Sequence, residues 1–208
     1  MPRSSATGHA LLSLIALRPR WSTYELAGQV TRALRFLLPR AESRIYDEAR
    51  ALAHRGLVRG EHEANGQRPR TVYSITDEGR AELQRWLSGP VAATRLQSDG
   101  LLRVLIGRLA TTEQLLAAVH QIRADADEIF AQGRAVADEY LGGTAPFQDD
   151  VAYRSLVFDF LYHHALMLTA WADRAEAVVV AWGSAADQQA GDEALARIRA
   201  LVADLPPA

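Results

Sequence analysis

Residues 43–76 read SRIYDEARALAHRGLVRGEHEANGQRPRTVYSIT. Near the start of this run Ile45, Ala49 and Leu52 recur at spacings of four and three, which places them on one face of a helix. Polar and charged residues occupy the opposite face. Gly56 follows the last periodic residue, where a helix end is expected. The pattern predicts an amphipathic helix whose polar face is free to make contacts.

The same run continues into two short alternating segments at residues 57–63 and 70–75. The turn between them contains Asn65-Gly66, a strong signal for a β-hairpin. Arginines stand close to this turn. A helix that leads into a basic hairpin predicts a winged helix-turn-helix, in which the exposed helix face enters a groove of duplex DNA.

Bulk composition excludes several classes of protein. The 208 residues include no cysteine, which excludes disulfides and thiolate metal sites. The apolar run at residues 10–17 is too short to span a bilayer, which needs about 20 residues. His163 and His164 are adjacent and would point about 100° apart on a helix, so they do not chelate a metal together. We expect a cytoplasmic protein without metal or cofactor.

Charge is distributed unevenly along the chain. Residues 1–90 contain 14 Arg and 9 acidic residues, a balance of +5, whereas residues 91–208 contain 9 Arg and 16 acidic residues, a balance of −7. The division predicts a DNA-binding domain over 1–90 and a separate domain over 91–208.

The remaining elements of the first half are predicted from periodicity and capping signals. A largely buried helix is expected over residues 9–17, with Thr7 as its cap. A second helix is expected to begin at Ser22 or Thr23 and to run to Pro39, which cannot continue it. After the hairpin, Thr76 is expected to cap a further helix.

Several motifs of this half occur together and in a fixed order. They are Ala10-Leu11-Leu12-Ser13-Leu14, Thr23-Tyr24-Glu25-Leu26, Arg44-Ile45-Tyr46 with Leu52, Gly56-Leu57-Val58, Arg68-Pro69-Arg70-Thr71-Val72-Tyr73-Ser74-Ile75-Thr76, and Gly79, Leu83 and Trp86-Leu87. In these motifs the first 90 or so residues resemble the PadR family of bacterial transcriptional regulators. One departure is Ala49, where relatives often have Pro. The resemblance implies a homodimeric repressor of transcription that is controlled by a small molecule.

The contacts with DNA are assigned to the polar helix face, the wing and the matching motif at the start of the second helix. The predicted DNA-binding residues are Thr23, Tyr24, Ser43, Arg44, Tyr46, Asp47, Arg50, Arg68 and Arg70. Arg50 could reach a base edge or a phosphate while the Tyr46 hydroxyl holds the backbone. The alternative is an ordinary solvated face on which Asp47 pairs with Arg50 at a spacing of three.

Beyond residue 90 the sequence predicts an all-helical dimerisation domain. Apolar or small residues recur at alternating spacings of four and three, as in a coiled-coil seam, at Leu115, Val119, Ile122, Ala126, Ile129, Gly133, Val136 and Tyr140. A second long helix over 151–182 is apolar on most sides, and an amphipathic helix carrying Leu195 and Ile198 follows it. The residues predicted to form the dimer are Leu115, Val119, Ile122, Ile129, Val136, Phe158 and Leu161.

Aromatic residues crowd the helix over 151–182, and most are expected in a core or an interface. Trp171 and Tyr162 are the candidates for a pocket that binds a small aromatic effector. No phosphate-binding loop, nucleophile elbow or metal-ligand set supports an enzyme. The alternative function is a helical protein-interaction adaptor that does not bind DNA, but it leaves the basic helix and wing unexplained.

Overall fold

The computed structural model describes residues 5–38, 44–65, 68–182 and 188–205. The chain forms two compact units, Met1–Thr94 and Arg95–Ala208. Both are mainly helical, and a small antiparallel sheet lies in the first. The predicted fold class is confirmed. No helix within the described residues combines the length and apolarity that crossing a bilayer requires.

The first unit is a winged helix-turn-helix. Its elements, in chain order, are α1 (Ala6–Leu17), β1 (Trp21–Ser22), α2 (Thr23–Ala33), α3 (Ile45–His54), β2 (Val58–Asn65), β3 (Arg68–Ile75) and α4 (Asp77–Leu87). β2 and β3 form the predicted hairpin, with Val58 opposite Ile75 and Asn65 opposite Arg68. Both strands extend further toward the turn than the alternating segments predicted.

The sheet has a third strand that periodicity did not predict. β1 pairs antiparallel with β3, with Trp21 opposite Tyr73, and gives the strand order β1-β3-β2. A strand of two residues is too short to show alternation, so its sequence carries no usable signal. Pairing with β1 places the start of α2 beside the middle of the wing.

The core of this unit lies between α1 and the elements that pack on it, α3, α4 and β3. Its fully or almost fully buried apolar side chains are Leu11, Leu12, Ile15, Trp21, Leu26, Val30, Ile45, Ala49 and Leu52. Burying each large aliphatic side chain stabilises the fold by roughly 1.5–3 kcal/mol. Because Ile45, Ala49 and Leu52 are all buried, the rotation of α3 about its axis is set, and the predicted polar face is exposed.

Two of the predicted helix boundaries in this unit were wrong. α1 is capped by Ser5, whose Oγ accepts from the Gly8 N–H at 2.9 Å, and Thr7 lies inside the helix. α2 ends at Ala33, well before Pro39, to which it was predicted to run. The chain beyond it forms a hydrogen-bonded turn in which Leu38 donates to the Leu34 carbonyl. Leu38 precedes Pro39, and the residue before a proline is disfavoured in helical geometry.

The junctions around the wing were predicted correctly. Gly56 ends α3 with φ +72°, a left-handed conformation that favours glycine. Thr76 caps α4 by accepting from the Gly79 N–H at 3.1 Å and donates to the Gly56 carbonyl at 2.7 Å. One hydroxyl therefore joins the end of α3, the base of the wing and the start of α4.

The second unit is all-helical within its described residues. It contains α5 (Asp99–Leu105), α6 (Thr112–Leu141), α7 (Val151–Ala181) and α8 (Gln188–Ala203), with short 3-10 turns at Gly107–Leu109 and Gln148–Asp150. The apolar stretch over 100–109 is thus divided between α5 and a 3-10 turn. Thr111 caps α6, in a reciprocal arrangement with Gln114.

The antiparallel pair α6 and α7 is held in register by charged residues near one end. Arg123 contacts Asp173 at 2.5 Å and Glu176 at 2.8 Å, and His120 contacts Glu176 at 3.1 Å. The hydrogen bonds from His120 and then Arg123 lower the pKa of Glu176. At the other end Phe158 packs over Gly133, where a side chain would reach the Phe158 ring.

Candidate nucleic-acid interface

A groove of about 1070 Å³ lies in the first unit, between the start of α2, the outer face of α3 and the wing. Its lining residues are Ser22, Thr23, Tyr24, Tyr46, Arg50, Ala53, Gly56, Val58, Arg59, Gly60, His62, Arg70, Thr71, Tyr73 and Thr76. Five of the nine residues predicted to bind DNA are among them, and they come from three separate parts of the chain. The fold therefore brings these five together on one surface.

The outer face of α3 presents an ion pair at its centre. The side chain of Arg50 is 73% exposed and donates from Nη2 to Asp47 Oδ1 at 3.2 Å. Its Nε also donates to the Tyr46 carbonyl at 3.3 Å. Arg50 is thus held along the helix surface by its own helix, as the solvated-face alternative predicts. An exposed pair of this kind contributes only about 0.3–0.5 kcal/mol, so its stability does not prevent Arg50 from exchanging Asp47 for another acceptor.

Tyrosines flank Arg50 on this surface. Tyr46 is 55% exposed on α3, and Tyr24 is 85% exposed at the first turn of α2. Both rings and their hydroxyls are therefore accessible to a partner that enters the groove. Thr23 lies beside Tyr24, and its hydroxyl is 3.5 Å from the Thr71 carbonyl of β3. This contact links the start of α2 to the wing.

The cap of α2 stabilises that position. Ser22 Oγ accepts from the Glu25 N–H at 3.2 Å, and Glu25 accepts from the Ser22 N–H at 2.8 Å. Burial tends to raise the pKa of Glu25, but hydrogen bonds from Ser22 and Arg18 outweigh burial and lower it. Glu25 is therefore ionised at neutral pH and suits the helix N-terminus.

Two arginines, Arg20 and Arg70, are engaged with acids near the tip of the wing. Arg70 donates from Nε and Nη2 to Glu63 Oε2 at 3.2 and 2.9 Å. Arg20 also pairs with Glu63, and it contacts Glu61 at 3.1 Å. This alternating network, which we call the wing charge network (Arg20, Glu61, Glu63 and Arg70), reduces the positive potential near the strands.

Arg59, His62 and Thr71 also line the groove and were not among the predicted contacts. His62 and Thr71 are cross-strand neighbours in the wing, and Thr71 Oγ1 lies 3.3 Å from His62 Nδ1. Arg59 is exposed on β2. Alternation predicted the two strands that carry these residues, but it did not show that β1 and α2 would bring them beside α3.

Tyr73 forms part of the groove floor and is almost completely buried. Burial raises the pKa of its hydroxyl, and the positive charge of the nearby Arg50 works in the opposite direction. The phenol is therefore neutral at physiological pH.

The remaining predicted contacts lie beside the groove or outside the described residues. Arg44 and Asp47 are exposed on the helix face, Arg44 directly before α3. Ser43 lies outside the described residues, and of Arg68 only the backbone is described, paired with Asn65.

The residues predicted to form a dimer divide into two groups in the second unit. Leu115, Val119, Ile122 and Ile129 are buried inside the chain. A side chain on Gly100 of α5 would collide with Ile122 at 2.8 Å, and Leu115 covers Gly107 in the same way at 2.9 Å. Packing within the chain therefore accounts for the part of the heptad seam from Leu115 to Ile129. Val136 and Leu161 are partly exposed, and Phe158 is 39% exposed.

The two residues predicted to bind an effector, Trp171 and Tyr162, lie at different places in the second unit. Trp171 lines a second groove, formed by α5, α6, α7 and α8. Tyr162 lies elsewhere on α7, edge-on to Phe130 at a ring separation of 5.9 Å.

Comparison with known proteins gives one family match. Residues 11–85 match the family described as the transcriptional regulator PadR-like family. The probable transcriptional regulator Rv1176c of Mycobacterium tuberculosis is 34% identical over 91 residues, which cover 43% of this chain and 48% of the relative. The chain thus spans about half the length of the curated relative it matches.

Solved structures share the fold at low sequence identity. The smu.1604c protein from Streptococcus mutans superposes with a TM-score of 0.70 at 16% identity, covering 80% of this chain and 96% of that one. Bacillus subtilis PadR in complex with operator DNA gives 0.67 at 16% identity, covering 84% and 99%. The same Bacillus protein in complex with p-coumaric acid gives 0.59 at 16% identity, with the same coverage.

Proposed function

We propose that the chain binds operator DNA and regulates transcription, because its residues 11–85 match the transcriptional regulator PadR-like family, in line with the motifs of its sequence. The observation that carries the proposal is the convergence of Tyr24, Tyr46, Arg50 and Arg70 on one groove. These side chains come from α2, α3 and the wing. Their distribution matches a helix that enters the major groove with a wing beside it.

The structure of Bacillus subtilis PadR with operator DNA supports this use of the fold. That protein shares only 16% identity with the present chain, so the residues that read the operator must be argued from this chain. The exposed face of α3 supplies them.

We assign different roles to α3 and the wing. Arg50 exchanges Asp47 for the O6 and N7 acceptors of a guanine or for a phosphate, and the Tyr46 hydroxyl donates to the backbone. Arg70 and Arg68 meet phosphates at the edge of the site. Arg70 must then break its ion pair with Glu63. The cost of breaking this pair reduces the net free energy that the phosphate contact contributes to binding.

The active form in this proposal is a homodimer. Because the part of the heptad seam from Leu115 to Ile129 is buried inside the chain, the proposed partner surface is the exposed apolar face of α7. Its exposed side chains are Tyr153, Leu156, Val157, Phe160 and Met167. Exposed apolar area of this extent is typical of an interface, and an obligate dimer would bury on the order of 2,000 Å² or more.

Repression relieved by a ligand is the mode of regulation that we propose. Bacillus subtilis PadR has been solved with p-coumaric acid, which supports a small aromatic effector for this chain too. Trp171, which lines the groove of the second unit, remains our candidate for contact with it.

Fluorescence anisotropy with DNA from upstream of the chain's own gene tests the proposal. We expect saturable binding to one segment and at least 100-fold weaker binding to a scrambled duplex of equal length, within the range typical of specific sites. Equal binding to both duplexes would favour the adaptor alternative. Light scattering at micromolar concentration should find twice the mass of one chain.

A further inference from the structure

The second unit contains a groove of about 1470 Å³ between α5, the start of α6, the end of α7 and α8. Its walls are mostly apolar and include Val104, Leu105, Leu115, Val119, Trp171, Val178, Val179, Trp182 and Leu201. Pockets for drug-sized molecules usually measure about 300–1,000 Å³. This groove is larger, so it has room for a ligand with an apolar body larger than one small ring.

The charged residues that line the groove are all cations. They are Arg108, Arg174 and Arg197, and no Asp or Glu lines the groove. None of the three forms an ion pair with another residue in the described part of the chain. Residues 91–208 contain 16 acidic residues and 9 arginines, so a groove lined by three arginines and by no acid is unexpected from the composition of this half. The arrangement favours an anion.

Trp182 follows the last residue of α7 and carries a hydrogen-bond donor, the indole N–H. Its indole Nε1 is buried and has no hydrogen-bond partner among the described residues. A buried N–H without an acceptor is destabilising, and most such donors are satisfied in folded proteins. Trp182 lines the groove, so a rotation of its ring toward the groove would let an acceptor on a bound ligand satisfy this N–H.

We propose that this groove binds an anion with a large apolar body, namely a long-chain or polycyclic carboxylate. The apolar body lies against Trp171 and the aliphatic walls. The carboxylate accepts from the arginines and from the Trp182 indole. The proposal rests on the function proposed above only in treating the ligand as an effector; the binding itself does not require DNA.

Two carboxylates distinguish the kinds of apolar body. Hexadecanoate, kept below its aggregation concentration, tests a long chain, and pyrenebutyrate tests a fused aromatic system. Each is compared by titration calorimetry with the corresponding alcohol, which keeps the body and removes the charge. We expect at least one acid to bind at one molecule per chain and at least tenfold more tightly than its alcohol.

Variants then locate the site. Arg174→Gln combined with Arg197→Gln should weaken the acid at least tenfold, and Trp182→Phe should weaken it several-fold while keeping a ring in place. Arg134→Gln is the matched control, because Arg134 is exposed on α6, lies outside the groove and forms no ion pair with a described residue. It should change the affinity less than twofold.

The proposal is overturned if neither acid binds, if acid and alcohol bind equally, or if the double variant binds like the parent. A double variant that sediments differently without ligand and keeps its affinity for the acid would show that a second copy of the chain fills the groove. The titration contains no DNA and the anisotropy assay contains no ligand. Failure of one proposal is therefore distinguishable from failure of the other.

Discussion

Arg50 and Asp47 form an ion pair one turn apart on the exposed face of α3, with Arg50 Nη2 3.2 Å from Asp47 Oδ1. The two side chains are 73% and 82% exposed. The pair is therefore screened by water and weak, yet it aligns the guanidinium along the surface that we propose for DNA. Arg50 can therefore pair with Asp47 or, in the proposed complex, with an acceptor on DNA.

If Arg50 makes a bidentate contact with a base, Arg50→Ala should cost about 1–3 kcal/mol on the operator and much less on random DNA. Anisotropy titrations on operator and scrambled duplexes measure both values. Asp47→Ala is the matched control, because it keeps Arg50 and removes its intrahelical partner. Should Arg50→Ala weaken both duplexes equally, Arg50 is a backbone contact and specificity must come from elsewhere.

Arg70 should behave differently because it is expected to meet phosphate. Arg70→Ala should weaken operator and random DNA by a similar factor. Each lost phosphate contact should also flatten the slope of log affinity against log salt by roughly 0.9, and by about twice that in a dimer. Titrations at four salt concentrations provide the slope.

Glu63→Gln provides the opposite change in the wing charge network. It removes the carboxylate charge shared by Arg20 and Arg70, so random DNA should bind more tightly and with a steeper salt slope. Unchanged affinity in this variant would contradict a phosphate contact by Arg70.

Gly79 tests the junction between the wing and α4. A Cβ on Gly79 would lie 2.0 Å from the Leu57 carbonyl oxygen and 2.9 Å from Ile75. Since backbone cannot move aside cheaply, Gly79→Ala should lower the free energy of unfolding by roughly 1–3 kcal/mol or more. Gly28→Ala is the control, because it lies in α2 with no atom within 4 Å of the added group. Urea unfolding should show that control to be neutral or stabilised by up to about 1 kcal/mol.

Glu82 should make the first unit sensitive to acid. The hydrogen bond from Arg85 is the main cause of its lowered pKa; burial opposes it, and the contact with His9 at 3.3 Å adds to it. A carboxylate with a lowered folded-state pKa stabilises the fold above its ordinary pKa of 4.5 and loses that stabilisation as the pH falls through the folded value.

The measurable change is the difference in unfolding free energy between the parent and Glu82→Gln. We expect about 1–2 kcal/mol at pH 7, shrinking steadily below about pH 4.5. Glu78→Gln, on the exposed side of α4, should give a smaller difference. A Glu82→Gln difference that stays constant down to pH 3 would contradict the assignment.

Ile122 distinguishes a seam inside the chain from a seam between chains. Because Ile122 is 2% exposed and packs on Gly100 of α5, Ile122→Asp should bury an unpaired charge and unfold the second unit. Leu109→Asp, at a position 85% exposed, should leave the helix content unchanged. Circular dichroism and light scattering measure the two outcomes. A folded monomer from Ile122→Asp would instead place Ile122 at the dimer surface.

Much of the local structure followed from residue spacing. The polar face of α3, the stop at Gly56, the hairpin and the cap at Thr76 were all predicted. Each depends on neighbours within a few residues, such as a hydroxyl and the N–H three positions later. The start of α1 shows where such reasoning fails. Serine and threonine both cap helices, so Thr7 was predicted as the cap, but Ser5 occupies the cap position.

The apolar periodicity of residues 115–129 shows the limit of sequence reasoning most clearly. Spacings of four and three determine that one side of α6 is buried, because that side is costly in water whatever covers it. They do not determine whether α5 and α7 or a second chain provides the cover. Likewise, the polar residues of α3 and the wing were predicted separately, and the tertiary structure decided that Tyr24, Arg50 and Arg70 share one groove. Pairing of Trp21 with Tyr73 places α2 there, and a contact between such distant residues depends on the packing of the whole unit.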